Sequence, residues 1–151
     1  MPPLPTRREQ ILTALADRLA AIHVADGFAS DAGDTVLVGP IQLGPDDPAT
    51  ALTLLPEDEV SPHQGAAFFV ELPIEIQALA RQGTDQAWLT VEAMVGDIKR
   101  AIELDDRTLG GLLPQPLRRG TIRVLERPPG ATDVGLGITY VAGYKESWGA
   151  P

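Results

Sequence analysis

The chain has 151 residues and a formal net charge of −9, with no cysteine and two histidines. That length supports one domain, residues 1–151, able to bury roughly 70% of the surface its unfolded chain exposes without a disulfide or a structural metal. The missing thiols exclude disulfides, thiolate catalysis and cysteine-ligated zinc or iron–sulfur centres. His23 and His63 lie far apart and form no HExxH-type zinc pair.

The charge is unevenly distributed. Between Arg18 and Arg81 there is no Lys or Arg, whereas the same stretch carries Asp26, Asp31, Asp34, Asp46, Asp47, Glu57, Asp58, Glu59, Glu71 and Glu75. Elsewhere eleven acids stand against twelve bases, so the middle segment holds the whole imbalance. One reading is a solvated, solubilising surface. The other is a surface that must not adhere to nucleic acid, because clustered Lys and Arg drive phosphate binding by counterion release. The stretch Met1–Thr6 lacks the apolar core of a signal peptide. No apolar run is long enough to cross a bilayer. The expectation is a protein made and kept in a reducing cytosol, with no membrane partner.

Thr6 is the predicted N-cap of a first helix, with Glu9 completing a capping box. Ile11, Leu12, Leu15, Ala16, Leu19 and Ile22 recur at helical spacing, and Gly27 predicts an end near Ala25. Thr35–Val38 and Ala51–Leu55 read as short strands between turn signals. Gly39–Pro48 and the acidic Pro56–Gly65 read as loops, the second one mobile. Ala66–Leu79 alternates: Phe68, Val70, Leu72, Ile74, Ile76 and Ala78 share one parity, while Glu71, Glu75 and Gln77 share the other. This predicts a half-buried strand with one wet face. Pro73 predicts an edge or a bulge.

Thr84-Asp85 is the predicted start of a second helix, with a stripe of Trp88, Val91, Met94, Val95, Ile98, Ala101 and Ile102. Lys99 and Arg100 suit its C-terminal dipole. Asp105–Pro116 is a loop. Arg118–Arg127 and Val134–Tyr144, joined by a Pro-Pro-Gly turn, read as an antiparallel hairpin. Ile122, Val124, Leu136, Ile138, Tyr140 and Ala142 are expected to face in, and Arg119, Arg123 and Arg127 to face out. Trp148 is expected exposed or docked on a neighbour. The fold class is α+β: an antiparallel or mixed sheet with two helices packed on one face.

No chemical motif stands out. There is no P-loop and no nucleophile elbow, and Gly135-Leu136-Gly137 lies in a strand with no helix after it. Asp105-Asp106 could be a metal pair or a loop cap, and Asp46-Asp47 is a turn signal. His63 could bind a metal weakly or be an ordinary exposed histidine. Glu71 and Glu75 could mimic a carboxylate dyad, or could pair across strands with Arg119, Arg123 and Arg127. That arginine row has no interleaved aromatics, which disfavours nucleic-acid binding. Gly110-Gly111 makes a turn or holds the backbone close to a neighbouring chain. No residue is assigned to catalysis, a cofactor or a metal. Arg119, Arg123, Arg127, Glu71, Glu75, Leu109, Gly110 and Gly111 are the candidate subunit-interface residues.

Three stretches carry a resemblance. Arg7–Leu12 opens the first helix, Asp105–Leu112 (DDRTLGGL) follows the second, and Gly137–Tyr144 (GITYVAGY) lies in the last strand. Together with the order of elements they resemble the tail terminator, or tail completion, proteins of long-tailed bacteriophages, a group that includes the minor tail protein U of lambdoid phages. Residues 26–62 depart from that pattern in length and in Pro and Asp content. The resemblance implies a non-enzymatic virion protein of the tail or neck, synthesised in the host cytoplasm. It implies a homo-hexameric ring that caps the tail tube, stops its polymerisation and offers a head–tail joining surface. Tail tube and head–tail connector proteins would be partners, and DNA would pass through the lumen without specific binding. A heterologous ring needs two different patches per subunit, and the acidic middle and the arginine row are candidates. The alternatives are a head–tail connector, neck adaptor or tube-like subunit, a metal-dependent hydrolase built on Asp105, Asp106 and a glutamate, and a small-ligand module with Trp88 and Tyr140 lining a cavity.

Overall fold

The computed structural model describes residues 1–83 and 86–151, with only the backbone at positions 63 and 64. The predicted helix start at Thr84-Asp85 and the side chain of His63 fall outside the described part.

Helix α1 spans Arg7–Ala20. Its N-terminus is tied by the predicted capping box: the Glu9 amide donates to Thr6 Oγ1 at 3.1 Å, and the Thr6 amide donates to Glu9 Oε2 at 2.6 Å. The helix stops at Ala21, earlier than Gly27 signals, because residues 22–35 fold back on it. The Gly33 amide donates to Ile22 O. A Cβ on Gly33 would lie 2.6 Å from Ala20 O, so only glycine allows that approach.

Strands β1 (Val36–Val38), β2 (Thr50–Pro56), β3 (His63–Gln64), β4 (Ala67–Arg81), β5 (Arg118–Val124) and β6 (Asp133–Ser147) form one mixed sheet. Its order is β1-β2-β4-β6-β5, with β3 pairing β4. Only β1 and β2 run parallel. Helix α2 (Ala87–Glu103) lies with α1 on one face of this sheet. Ile11, Leu15 and Leu19 from α1, and Val91, Met94, Ile98 and Ile102 from α2, pack on Leu52, Leu72, Ile74, Ile76, Ile138 and Tyr140 in one core. This is the predicted α+β class, and the antiparallel hairpin of β5 and β6 is as expected.

Several expectations are corrected. β4 is an interior strand, continuously paired to β6. Pro73 fits there because β2 has ended at Pro56: Pro73 still accepts from the Glu57 amide, and the donor it lacks has no ladder to complete. The acidic loop after Pro56 is pinned to the sheet, by the Val60–Glu71 bridge and by β3. The second parity of β4 is not wet near its C-terminal end, since Glu75, Gln77 and Leu79 are all buried. Trp88, at the helix end beyond the core, is half exposed. Ile122 and Val124 are 39% and 63% exposed, because the helices cover β4 and β6 but not β5.

The loop at 39–48 is a strap across the helix-free face. Ile41 and Leu43 pack there with Ala51, Leu79 and Leu125 in a second small core. Thr53 Oγ1 donates to Gly39 O, and the Leu43 amide donates to Asp133 Oδ2 at 2.8 Å.

Candidate functional site

The arginine row does not stay on one face. Arg119 registers with Tyr140 and Ile122 with Ile138, so β5 spends three residues where β6 uses two. That one-residue bulge reverses the parity of everything after it. Arg119 therefore sits on the helix face and forms a forked pair with Glu103 of α2, at 2.8 and 3.0 Å. Glu103 also accepts from the Tyr140 hydroxyl at 2.7 Å. Arg118 and Arg123 point to the opposite face.

On that helix-free face, Arg123 donates to both oxygens of Glu75, at 2.6 and 2.8 Å, and Gln77 Nε2 donates to Glu75 Oε1 at 2.7 Å. Arg118 reaches Glu71 at 3.0 Å. The strands involved are not neighbours: β6 lies between β4 and β5. The pair can close over β6 because position 137 is glycine. A Cβ there would stand 2.7 Å from Glu75 Cδ. Glu75 is 3% exposed. Burial pushes its carboxyl up, but the hydrogen bonds from Arg123 and Gln77 and the guanidinium charge outweigh that and hold it below the usual value. Glu103 follows the same pattern, with Arg119 and Tyr140 outweighing burial. Burial, then the Glu103 bond, push the Tyr140 hydroxyl far upward.

Arg127 lies beyond β5. It forks onto Asp133 at 2.7 and 2.9 Å and donates to Ile41 O at 3.1 Å, which fastens the strap to the hairpin. All three arginines of the expected row are thus engaged within the chain, as are Glu71 and Glu75.

The loop after α2 is built on Asp106. Its carboxylate accepts from the amides of Thr108 and Gly110 at 2.9 and 2.8 Å and from the Thr108 hydroxyl. The Thr108 hydroxyl bond, then the two amide bonds, hold Asp106 below its ordinary range. Leu109, Gly110 and Gly111 follow with φ of 56°, 73° and 84°. Leu109 turns its side chain into the core, while Gly110 and Gly111 remain exposed. Asp105 lines a cleft of about 490 Å³ between the C-terminal ends of α1 and α2, with Arg18, Phe28, Arg100 and Leu104. Trp88 and Tyr140 do not share that cleft, and Tyr140 is a core residue. Among the described residues no group of three or more His, Cys, Asp or Glu is arranged to hold a metal ion. No helix among them is long and apolar enough to cross a membrane.

Sequence reasoning missed Glu103, Gly137 and Asp97. Asp97 is fully buried on α2 and accepts from the Ala29 amide, the Ser30 amide and the Ser30 hydroxyl at 3.0, 2.9 and 2.7 Å. A readable signal existed for Gly137, since glycine inside a strand often marks a close approach.

No family model matches the chain, and no curated protein matches it. The fold is similar to that of a chain in a structure described as the virion of a native gene transfer agent (GTA) particle. The TM-score is 0.57 with 16% sequence identity, over 90% of this chain and 95% of that one. At that identity the likeness is one of fold.

Proposed function

We propose that this chain is a structural subunit of a phage-like virion, and that it forms a ring which caps the tail tube, stops its growth and presents a joining surface to the head connector. The observation that carries the reading is the likeness to a gene transfer agent virion chain across nearly the full length of both proteins. It is independent of the resemblance to tail terminators carried by Arg7–Leu12, Asp105–Leu112 and Gly137–Tyr144. The chain acts by binding its own copies, the tube and the connector, without catalysis. DNA passes its lumen without specific contacts, in keeping with a net charge of −9 per copy.

The test is growth of tubes from a purified phage tail tube protein, with and without this chain. With the chain present, tubes stop at a fixed maximum length and carry one added layer at one end. Incorporation along the tube would identify a tube-like subunit instead. Unaltered tubes with no bound chain would overturn the reading.

A further inference from the structure

We propose that β1 and β5, the two outer strands of the sheet, pair with each other between copies of this chain. The pairing is antiparallel, with Val36, Leu37 and Val38 opposite Val124, Arg123 and Ile122. The inference rests on the proposed assembly role, because it takes a second copy as the occupant of each edge.

Four observations converge. First, both edges are open and apolar. Leu37 and Val38 are 44% and 58% exposed, and Ile122 and Val124 are 39% and 63% exposed. Unpaired edges with apolar side chains promote association and are normally guarded by charge, bulges or a covering element. In β5 the guard covers only the first half: Arg118, Arg119, Gly120 and the bulge. The remaining Ile122-Arg123-Val124 is regular and three residues long, as is β1.

Second, the faces agree. Val36 registers with Leu52, a helix-side core residue, and Ile122 and Val124 register with Ile138 and Leu136 of the same core. Val36, Val38, Ile122 and Val124 therefore all lie on the helix face, and Leu37 and Arg123 on the other. The stated register sets apolar opposite apolar on one face.

Third, the directions agree. β1 runs with β2 and β6, and β5 runs against β6. A copy related by rotation about an axis along the strands presents β1 antiparallel to β5. The two edges are different surfaces at opposite ends of the sheet, so the contact is head-to-tail and closes into a ring when the rotation allows.

Fourth, the charges agree. Arg123 uses only two N–H donors on Glu75, and Arg118 one on Glu71, so donors remain free at the β5 edge. The chain around β1 holds no Lys or Arg between Arg18 and Arg81, so no like charge there opposes those donors.

The cysteine-free chain makes the test clean. Val38→Cys and Ile122→Cys are prepared separately and oxidised mildly, alone and mixed, free and in the presence of tail tubes. The mixture yields a covalent dimer, each variant alone yields none, and the double variant yields a ladder or a closed covalent ring. Leu37→Cys mixed with Ile122→Cys, with thiols on opposite faces, crosslinks at least about tenfold less. Circular dichroism and thermal melting verify that the variants fold. Self-crosslinking of Ile122→Cys would overturn the proposal in favour of a two-fold β5–β5 contact. No covalent product while light scattering shows multimers would overturn it and leave the assembly role standing. No product from a chain that also fails to limit tube growth would remove both.

Discussion

Glu75 sits at the middle of the sheet, and its pairing with Arg123 depends on the side chain that position 137 lacks. Gly137→Ala should cost about 1–3 kcal/mol, the usual range for overpacking. In a Glu75→Ala background the same change should cost less, because the clashing carboxylate is gone. A double-mutant cycle by urea denaturation measures this. Arg123→Ala should destabilise by about 1–3 kcal/mol by leaving Glu75 buried without its cation. Glu75 and Glu103 both titrate below the ordinary carboxylate value in the folded chain. A group with a lowered folded pKa stabilises above its unfolded pKa, and the contribution fades as pH falls through the folded value. Stability should therefore decline from about pH 5 downward, and Glu75→Gln should flatten that acid limb. The Tyr140 hydroxyl is raised, and burial pushes Tyr144 up to about 12. Raised acids lose their contribution as pH climbs past the unfolded value, so a second decline should begin above about pH 10. Denaturation midpoints across pH test both limbs.

At the scale of elements, a buried carboxylate on α2 ties the segment 22–35 to the helix layer through residues 29 and 30. Asp97→Ala removes three acceptor contacts to Ala29 and Ser30 and should cost about 2–4 kcal/mol. Hydrogen exchange should accelerate in residues 23–35 before it does so in β4. Exchange that rises uniformly would mean that Asp97 supports the core as a whole. Elements with local signals were legible in the sequence: the capping box at Thr6, the stripes of both helices, the alternation of β4 and the turn before β6. What escaped was non-local. The bulge between Arg119 and Ile122 leaves no mark in the spacing of a single strand, yet it sends Arg119 to α2 and Arg123 to Glu75. The strap at 39–48 has only Ile41 and Leu43 as apolar anchors, too few to show a period among its Gly, Pro and Asp. Trp88 fits the helical stripe but lies past the end of the surface that the stripe covers. Glu75 and Gln77 obey the polar parity of β4, and only the position of β5 and the strap decides that they are buried.

For the whole molecule, the sheet has helices on one side, a strap and a lattice of ion pairs on the other, and two open edges. The ion pairs of the arginine row are formed within the chain: Arg119 is neutralised on the helix face, and Arg118, Arg123 and Arg127 on the other side. Among the described residues, the outer edges of β1 and β5 have no strand partner. The mass of the purified chain by light scattering, over a concentration series with and without magnesium, tests assembly into a capping ring most directly. Acidic copies repel one another, and divalent ions screen that repulsion. A capping ring predicts one discrete species of about six copies, favoured by magnesium and with nothing larger. Open-ended growth, or a monomer that stays monomeric with magnesium and in the presence of tail tubes, would contradict it.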